Sequence, residues 1–435
     1  MSGNEKRALV PRLRFPEFRA EWTFSPMSKA YSFKGNNSLS RDKLNYKGGS
    51  FRNIHYGDIH TKFALHFRVD SESVPYINDG ESHSAIRPEN YCSVGDMVFA
   101  DASEDTADIG KAIEIIDTGD VPLVSGLHTI LAKHNDAPFA LGFGAYLFSS
   151  EGVRKQIQRE AQGAKVLGLS ASRLGNVLLH YPSETDEQQK IADCLSSLDE
   201  LIAAETQKLD TLKTHKKGLM QQLFPVIDDN APVGARHAVP LQPRLRFPEF
   251  WEAEGWKATP LSELAENLDN RRIPVTESNR TKGNVPYYGA SGIVDYIQDF
   301  IFDDELLCIS EDGANLVARA TPIAFSISGK TWVNNHAHVL KFGRRYTQRL
   351  VENYLNFTSL EDFLTGMAQP KLNRAMLDTI PVPLPQDEDE QQKIADCLSS
   401  LDELIAAETQ KLNTLKTHKK GLMQQLFPVM DGVLG

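Results

Sequence analysis

Several short motifs carry residue types that suit chemistry. Ser328-Gly-Lys-Thr331 has the tail of a phosphate-binding loop, where a lysine and a hydroxyl meet phosphate oxygens, but Ala324 stands where the first glycine belongs. Asn334-Asn-His336-Ala-His338 puts two imidazoles on one strand face, as a metal site can, yet no Cys or carboxylate cluster completes a ligand set. Glu311-Asp312 is an acid pair with no nucleophile beside it. No Pro-Pro dipeptide occurs, so the [DN]-P-P-[YF] signature of amino-methyltransferases is excluded. The expectation is no catalytic residue and no metal site: a chain that binds rather than reacts.

Basic side chains cluster locally. Arg41, Lys43, Lys47 and Arg52 face only Asp42, and Lys341, Arg344, Arg345 and Arg349 have no acidic residue among them. Arg271, Arg272, Arg280 and Lys282 precede Tyr287-Tyr-Gly-Ala-Ser291, a small-residue loop flanked by aromatics. Such loops approach a phosphate backbone closely while Lys, Arg and Asn read base edges. A charge run is more often a solvated face, so the recurrence of clusters matters more than any one of them.

Composition bounds the partners. The 435 residues are 41% hydrophobic and 24% charged, enough for two or three domains with real cores. The net charge of -11 comes without any broad basic segment, so contact with nucleic acid has to rest on local patches or on a larger assembly. No run of 18 apolar residues exists, and the first 15 residues lack the apolar core of a secretion signal. The four cysteines (Cys92, Cys194, Cys308, Cys397) show no CxxC spacing and read as reduced thiols, which places the chain in the cytoplasm.

What must position these motifs is a duplicated frame. PRLRFPEF occurs at Pro11–Phe18 and again at Pro243–Phe250. A 40-residue block, Glu187–Val226, returns at Glu390–Val429 with one change, Asp210 to Asn413. Trp22, Pro26 and Ser28 match Trp256, Pro260 and Ser262; Gly163, Leu169, Leu174 and Pro182 match Gly366, Leu372, Leu377 and Pro385. Between those edges the inserts, roughly 19–180 and 251–383, share no convincing identity. A frame kept the same around unrelated middles implies one shared role and two different ones.

The block reads as a long helix. It has no Gly before Gly218, its only Pro is Pro225, and Thr185-Asp-Glu-Gln188 resembles a capping box. Alternating steps of four and three run through Ile191, Leu195, Leu198, Ile202, Glu205, Leu209, Leu212, Lys216, Leu219 and Leu223. The second copy repeats them as Ile394, Leu398, Leu401, Ile405, Glu408, Leu412, Leu415, Lys419, Leu422 and Leu426. Eight apolar positions in ten favour a coiled-coil seam, and about 38 residues give a rod of roughly 57 Å. The copies are expected to pair antiparallel, with Glu205 facing Lys419 and Lys216 facing Glu408. Two identical outer faces would then dock two copies of one partner.

The inserts read as mixed α/β modules. Strands are expected at 96–100, 112–116, 306–309 and 339–341, and helices near 151–162 and 348–365. Each helix leads to a polar turn, Lys165 to Arg173 or Lys371 to Arg374.

With these residues assembled, the chain resembles the specificity subunit of a type I restriction–modification system. The twice-used EQQKIADCLSSLDELI and KKGLMQQLFP, with Tyr288-Gly-Ala-Ser-Gly292 and Trp332-Val-Asn-Asn-His-Ala-His338, carry the likeness over essentially the whole chain. The resemblance implies an α+β fold: two α/β target-recognition domains joined by two long helices in an antiparallel coiled coil, a pseudo-two-fold tandem repeat. The boundaries that follow are 1–182 for the first domain, 183–226 for the first helix, 227–242 for a linker, 243–384 for the second domain and 385–429 for the second helix. Each domain would read half of a bipartite double-stranded DNA site, and the helices would set the spacing and dock two modification subunits. S-adenosylmethionine, ATP and Mg would sit on partner subunits, motor-nuclease restriction subunits included, and this chain would hold no cofactor.

The residues chosen for DNA contact are Arg41, Lys43, Lys47, Lys165, Ser170 and Arg173 in the first insert. In the second they are Lys282, Tyr288, Ser291, Asn334, Asn335, His336, Lys371, Asn373 and Arg374. The competing reading, favoured by the acidic charge, is a protein-binding scaffold that holds two modules on a coiled-coil strut without DNA.

Overall fold

The computed structural model describes residues 11–81, 86–135, 139–227, 240–366 and 369–428, so most of the expected linker and Val429 lie outside the described residues. The chain divides into two units, Met1–Ala204 with Leu412–Gly435 and Glu205–Lys411. The two long helices, Thr185–Leu223 and Glu388–Leu426, each contribute to both units. Each block of the repeat therefore gives its start to one unit and its end to the other.

In the first unit the outer strands Trp22–Pro26 and Leu178–Pro182 pair antiparallel, Trp22 opposite Pro182, and close the insert on itself. The central sheet runs, by strand, Tyr31–Lys34, Thr129–His134, Met97–Ala100, Ala112–Asp117 and His66–Arg68. Met97–Ala100 is buried at every position, as a strand covered on both faces must be, and its run of apolar side chains follows from that. Helices Phe143–Ser149 and Glu151–Glu160 cover the sheet. A second sheet orders Leu123–Ser125, Arg52–Ile54, Tyr76–Ile77 and Leu44–Asn45.

The second unit repeats this plan. Strands Lys257–Pro260 and Pro381–Leu384 close the insert. The central sheet runs Ala265–Asn267, Ala337–Phe342, Leu306–Ser310 and Ala324–Ile327. A further sheet orders Gly292–Ile297, Lys282–Gly289, Lys330–Val333 and Phe302–Asp303. The helix expected at 348–365 is Arg345–Phe357; it stops one residue before Thr358, whose N–H bonds the Tyr354 carbonyl. The polar turns contain short helices, Ala171–Gly175 and Arg374–Thr379. Inserts without shared sequence thus share the order of four central-sheet strands, with His66–Arg68 added at the edge in the first unit alone among the described residues, because a buried strand constrains burial rather than residue identity.

The repeated motifs meet in a clasp. In the first unit Arg14 donates to both carboxylate oxygens of Glu187 at 2.7 Å, and Trp22 Nε1 donates to the same group at 3.3 Å. Lys190 pairs with Glu17 and lies over the Phe15 ring. The Leu13 N–H donates to the Gln425 carbonyl at the end of the second long helix. The second unit repeats every element: Arg246 and Trp256 on Glu390, Lys393 on Glu249 and over Phe247, and the Leu245 N–H on the Gln222 carbonyl. Each PRLRFPEF motif ties the start of one long helix to the end of the other.

The helices run antiparallel within each unit, in a register different from the expected one. Glu205 meets Lys411 at 2.6 Å rather than Lys419, and Glu408 meets Lys208 rather than Lys216. Lys216 pairs with Asp402 at 2.6 Å, and Lys419 with Asp199. The expected register considered seam positions alone, whereas flanking lysines lay their aliphatic stems along the seam and reach its carboxylates. Ile191, Leu195, Leu209, Leu223, Ile394, Leu398, Leu412 and Leu426 are buried, while Leu198, Ile202, Leu212, Leu219, Leu401, Ile405, Leu415 and Leu422 are half-buried. The outer positions join the insert cores: Ile191, Leu195 and Leu426 belong to the core that holds Tyr146, and Leu223 and Leu398 to the core that holds Leu350.

Candidate nucleic-acid interface

In the second unit the chain reversals where the central and the further sheet adjoin gather much of the polar set. Strand Lys282–Gly289 turns through Ser291 and Gly292, where φ of +112° suits glycine, so Ser291 stands exposed at the tip. The Asn334 N–H donates to the Tyr288 carbonyl at 3.0 Å, and Asn334 Oδ1 accepts from the His336 N–H at 2.8 Å. Asn334 is buried and holds the loop, whereas Asn335 and His336 are exposed. His336 Nδ1 lies 2.8 Å from Asp312, and Lys371 lies 3.2 Å from Glu311, which also accepts from Arg272 at 2.7 Å. An isolated bridge joins Asp312 to Lys371, so Asn335, His336, Glu311, Asp312 and Lys371 share one surface.

The charge balance there is explicit. Burial pushes the Glu311 carboxyl up, but its bond to Arg272, the charge of His338 and its bond to Lys371 hold it below the usual carboxylate range. Burial acts on Asp269 in the same way, and its bond to His338, the charge of that ring, the Val339 N–H and Arg272 together hold it below the usual carboxylate range. His338 gives both ring nitrogens to the fold, Nδ1 to Asp269 at 2.6 Å and Nε2 to the Leu372 carbonyl at 2.7 Å. It is a core histidine. Ser328-Gly-Lys-Thr331 joins the strands Ala324–Ile327 and Lys330–Val333 and leads into no helix, so it lacks the helix N-terminus that a phosphate loop needs.

Other chosen residues sit elsewhere or are already engaged. Lys282 lies at the far end of its strand from the turn. Asn373 caps Arg374–Thr379, its side chain accepting from the Met376 N–H at 3.1 Å, and Arg374 faces Asp378 at 3.5 Å. Ser170 caps Ala171–Gly175 in the same way, accepting from the Arg173 N–H at 3.3 Å. Arg173 itself donates to the Glu160 carbonyl. Arg41 grips the buried Asp58 through two bonds of 2.7 and 2.9 Å, and Lys43 pairs with Glu81 at 2.8 Å. Lys47 and Lys165 are exposed. Arg52 covers the Tyr76 ring, Arg271 the Phe302 ring and Arg280 the Tyr287 ring. Much of the cationic clustering is thus local structure.

Sequence reasoning did not single out the corresponding end of the first unit. Tyr56 stands among three histidines, His55, His60 and His128, with ring centroids 4.8, 6.0 and 5.2 Å away. His128 Nδ1 lies 3.2 Å from Asp101, a carboxyl that burial pushes up, and burial pushes His55 down. His128 has φ of +55°, a strained conformation for a residue other than glycine. The only sequence signal was a histidine directly before a buried strand, as at His336.

The comparisons with known proteins agree with this architecture. A family described as "Type I restriction modification DNA specificity domain" matches residues 74–214 and 253–417, once in each half. A putative type I restriction enzyme specificity subunit of Haemophilus influenzae, S.HindORF215P, is 38% identical over 148 residues, 34% of this chain and 37% of that relative. The putative type I restriction enzyme MjaX specificity subunit of Methanocaldococcus jannaschii is 23% identical over 390 residues, 83% of each chain. The crystal structure of a type I restriction–modification S subunit from M. genitalium aligns with a TM-score of 0.61 at 14% identity, covering 97% of this chain and all of that one. A chain from work on complex assembly and conformational transition of the type I R-M system aligns at 0.51 and 13% identity, covering 94% and 97%.

Proposed function

Because the chain belongs to the type I restriction–modification DNA specificity family, we propose that each insert reads one half of a bipartite double-stranded DNA site. The observation that carries this reading is one plan built twice: the same clasp and the same order of four central-sheet strands in both units, with different loops at the sheet ends. Identical scaffolds with different reading loops suit two different half-sites. The long helices set the separation of the readers, about one turn of B-DNA or roughly 10 base pairs between centres, leaving roughly 6–8 unspecified pairs.

The block also offers one docking face per copy. Leu201 and Leu404, at equivalent positions, are 40% and 52% exposed, large apolar side chains on otherwise polar helix surfaces. Each anchors one modification subunit, which brings S-adenosylmethionine and the methylation chemistry; restriction subunits bring ATP, Mg and cleavage. This chain contributes recognition and no catalytic group. The net charge of -11 leaves much of the phosphate contact to those partners. Among the described residues no helix is long and apolar enough to cross a membrane, and the complex is assigned to the cytoplasm with its DNA.

Methylated adenines mapped across the source genome by single-molecule sequencing, with the chain present and deleted, test the reading. Loss of one bipartite motif on deletion is expected. An unchanged methylome in cells that contain the modification subunits refutes it in favour of a scaffold without DNA.

A further inference from the structure

The two inserts can be aligned through backbone bonds where sequence gives no register. The Gly126 N–H donates to the Ile54 carbonyl at 2.8 Å, and the Asn334 N–H to the Tyr288 carbonyl at 3.0 Å. Thr129 pairs with Ala100 across the central sheet, and Ala337 with Ser310. The Asp101 N–H donates to the His128 carbonyl at 3.0 Å, and the Glu311 N–H to the His336 carbonyl at 2.9 Å. The Leu169 and Leu372 N–H groups donate to the Asp101 and Glu311 carbonyls, both at 2.8 Å. These bonds agree on one correspondence, 126–129 with 334–337. It places His128 on His336.

The two histidines share more than position. Their side chains are 49% and 53% exposed, and each holds Nδ1 against a carboxylate, Asp101 at 3.2 Å and Asp312 at 2.8 Å. The carboxylates are not equivalent residues, since Asp101 corresponds to Glu311 and Asp312 is one position further. The same pairing is thus built from different backbone positions, which simple copying of a frame does not produce. Among the described residues neither Nε2 has a hydrogen-bond partner. A carboxylate on Nδ1 fixes the ring and its tautomer and leaves Nε2 as an outward acceptor.

We propose that His128 and His336 are equivalent specificity-determining residues, each presenting Nε2 to a base edge of its own half-site, with Asp101 and Asp312 as positioning residues. The edge that suits an acceptor is the exocyclic amino group of adenine or cytosine in the major groove. The surroundings differ as two half-sites require: aromatic Tyr56 beside His128, and cationic Lys371 on the surface shared with His336. The proposal rests on the DNA-reading function above and assigns His128 a role that its sequence context did not suggest.

The test uses the full chain assembled with its modification subunits, comparing wild type, His128→Ala, His336→Ala, Asp101→Ala and Asp101→Asn. Genomic methylation motifs and thermal midpoints are measured for each. His128→Ala should relax discrimination about tenfold or more at one base position in one half-site, and His336→Ala at one position in the other, with midpoints unchanged. Asp101→Ala should relax the same position as His128→Ala, and Asp101→Asn, which keeps an acceptor for Nδ1–H, should restore strictness. A wild-type bipartite motif that both histidine variants methylate with unchanged strictness overturns this proposal and leaves the DNA-reading function standing. A wild-type complex with no motif dependent on this chain overturns both.

Discussion

Replacing Glu390 by Gln should unfold the second unit at a markedly lower temperature. The carboxylate and the Arg246 guanidinium are 0% and 6% exposed, joined by two bonds of 2.8 and 2.7 Å, with Trp256 Nε1 donating to the same group at 3.2 Å. Glutamine keeps the shape, removes the charge and turns an N–H₂ toward a donor. Stranding one member of a buried ion pair costs about 3–5 kcal/mol. For a unit of about 200 residues each kcal/mol moves the midpoint by roughly 2–4 °C, so a fall of about 6–20 °C is expected. Differential scanning calorimetry of the full chain reads it directly. Removing both charges with Arg246→Met and Glu390→Leu should recover about half, because no charge is then left buried; the Ala253 and Glu254 carbonyls still lose the donors Arg246 gave them. A loss below about 1 kcal/mol in Glu390→Gln, or a double variant no better than the single, refutes the clasp as an energetic element.

Four further outcomes follow from the same geometry. Glu205 faces Glu408 across the seam, two carboxylates side by side, so Glu205→Gln, whose amide can donate to the facing carboxylate, should raise the melting temperature; a fall on calorimetry would contradict the facing carboxylates. Burial pushes Glu114 from its ordinary 4.5 to about 7, despite bonds from the Gly142 and Ala145 N–H groups. The folded unit then holds a proton that the unfolded chain releases, so this stability is full below pH ~4.5 and lost as pH rises to ~7, by about 3 kcal/mol. Urea titrations across that range should show the slope in wild type and its absence in Glu114→Met; equal slopes would remove Glu114 as its source. Leu201→Glu should cut the modification subunits bound per chain from two to one, by light scattering on the purified complex, and unchanged stoichiometry would exclude that face. A heptad added to both long helices should widen the gap in the methylated motif by about three base pairs, from ~1.5 Å per residue against ~3.4 Å per pair, with both half-sites unchanged; an altered half-site sinks the spacing role.

The sequence makes the architecture legible where physical constraint is repetitive. Eight apolar seam positions in ten announce a helix pair, and the duplicated blocks announce two units. The register was not legible, because lysines such as Lys208 and Lys411 lie outside the seam and still reach Glu408 and Glu205 along their aliphatic stems. The candidate interface was legible in part. Exposed Asn335, His336 and Lys371 come together because their loops close one sheet end, whereas Ser170 and Asn373 look like readers and act as N-caps. Their residue types serve both roles equally well, and only the following N–H groups decide. Arg41 misleads for a similar reason: its partner Asp58 is 17 positions away, so a local charge count leaves it unpaired.

The clasp also accounts for which parts of the chain repeat. The start of each 40-residue block is held by one PRLRFPEF motif and its end by the other, through Glu187 and Gln222 in the first copy and Glu390 and Gln425 in the second. A change at the start of one block is therefore felt in one unit and a change at its end in the other, and a change in one lead motif disturbs the ends of two helices. Four segments tied in this way tolerate little independent variation. The inserts meet the frame mainly through buried apolar surface, such as Tyr146 and Phe143 beside Leu426 and Phe427, which accepts many sequences of similar volume. Among the described residues the bonds of the clasp involve no sheet-end loop, so the recognition surface is free to differ between the halves while the scaffold that carries it stays the same.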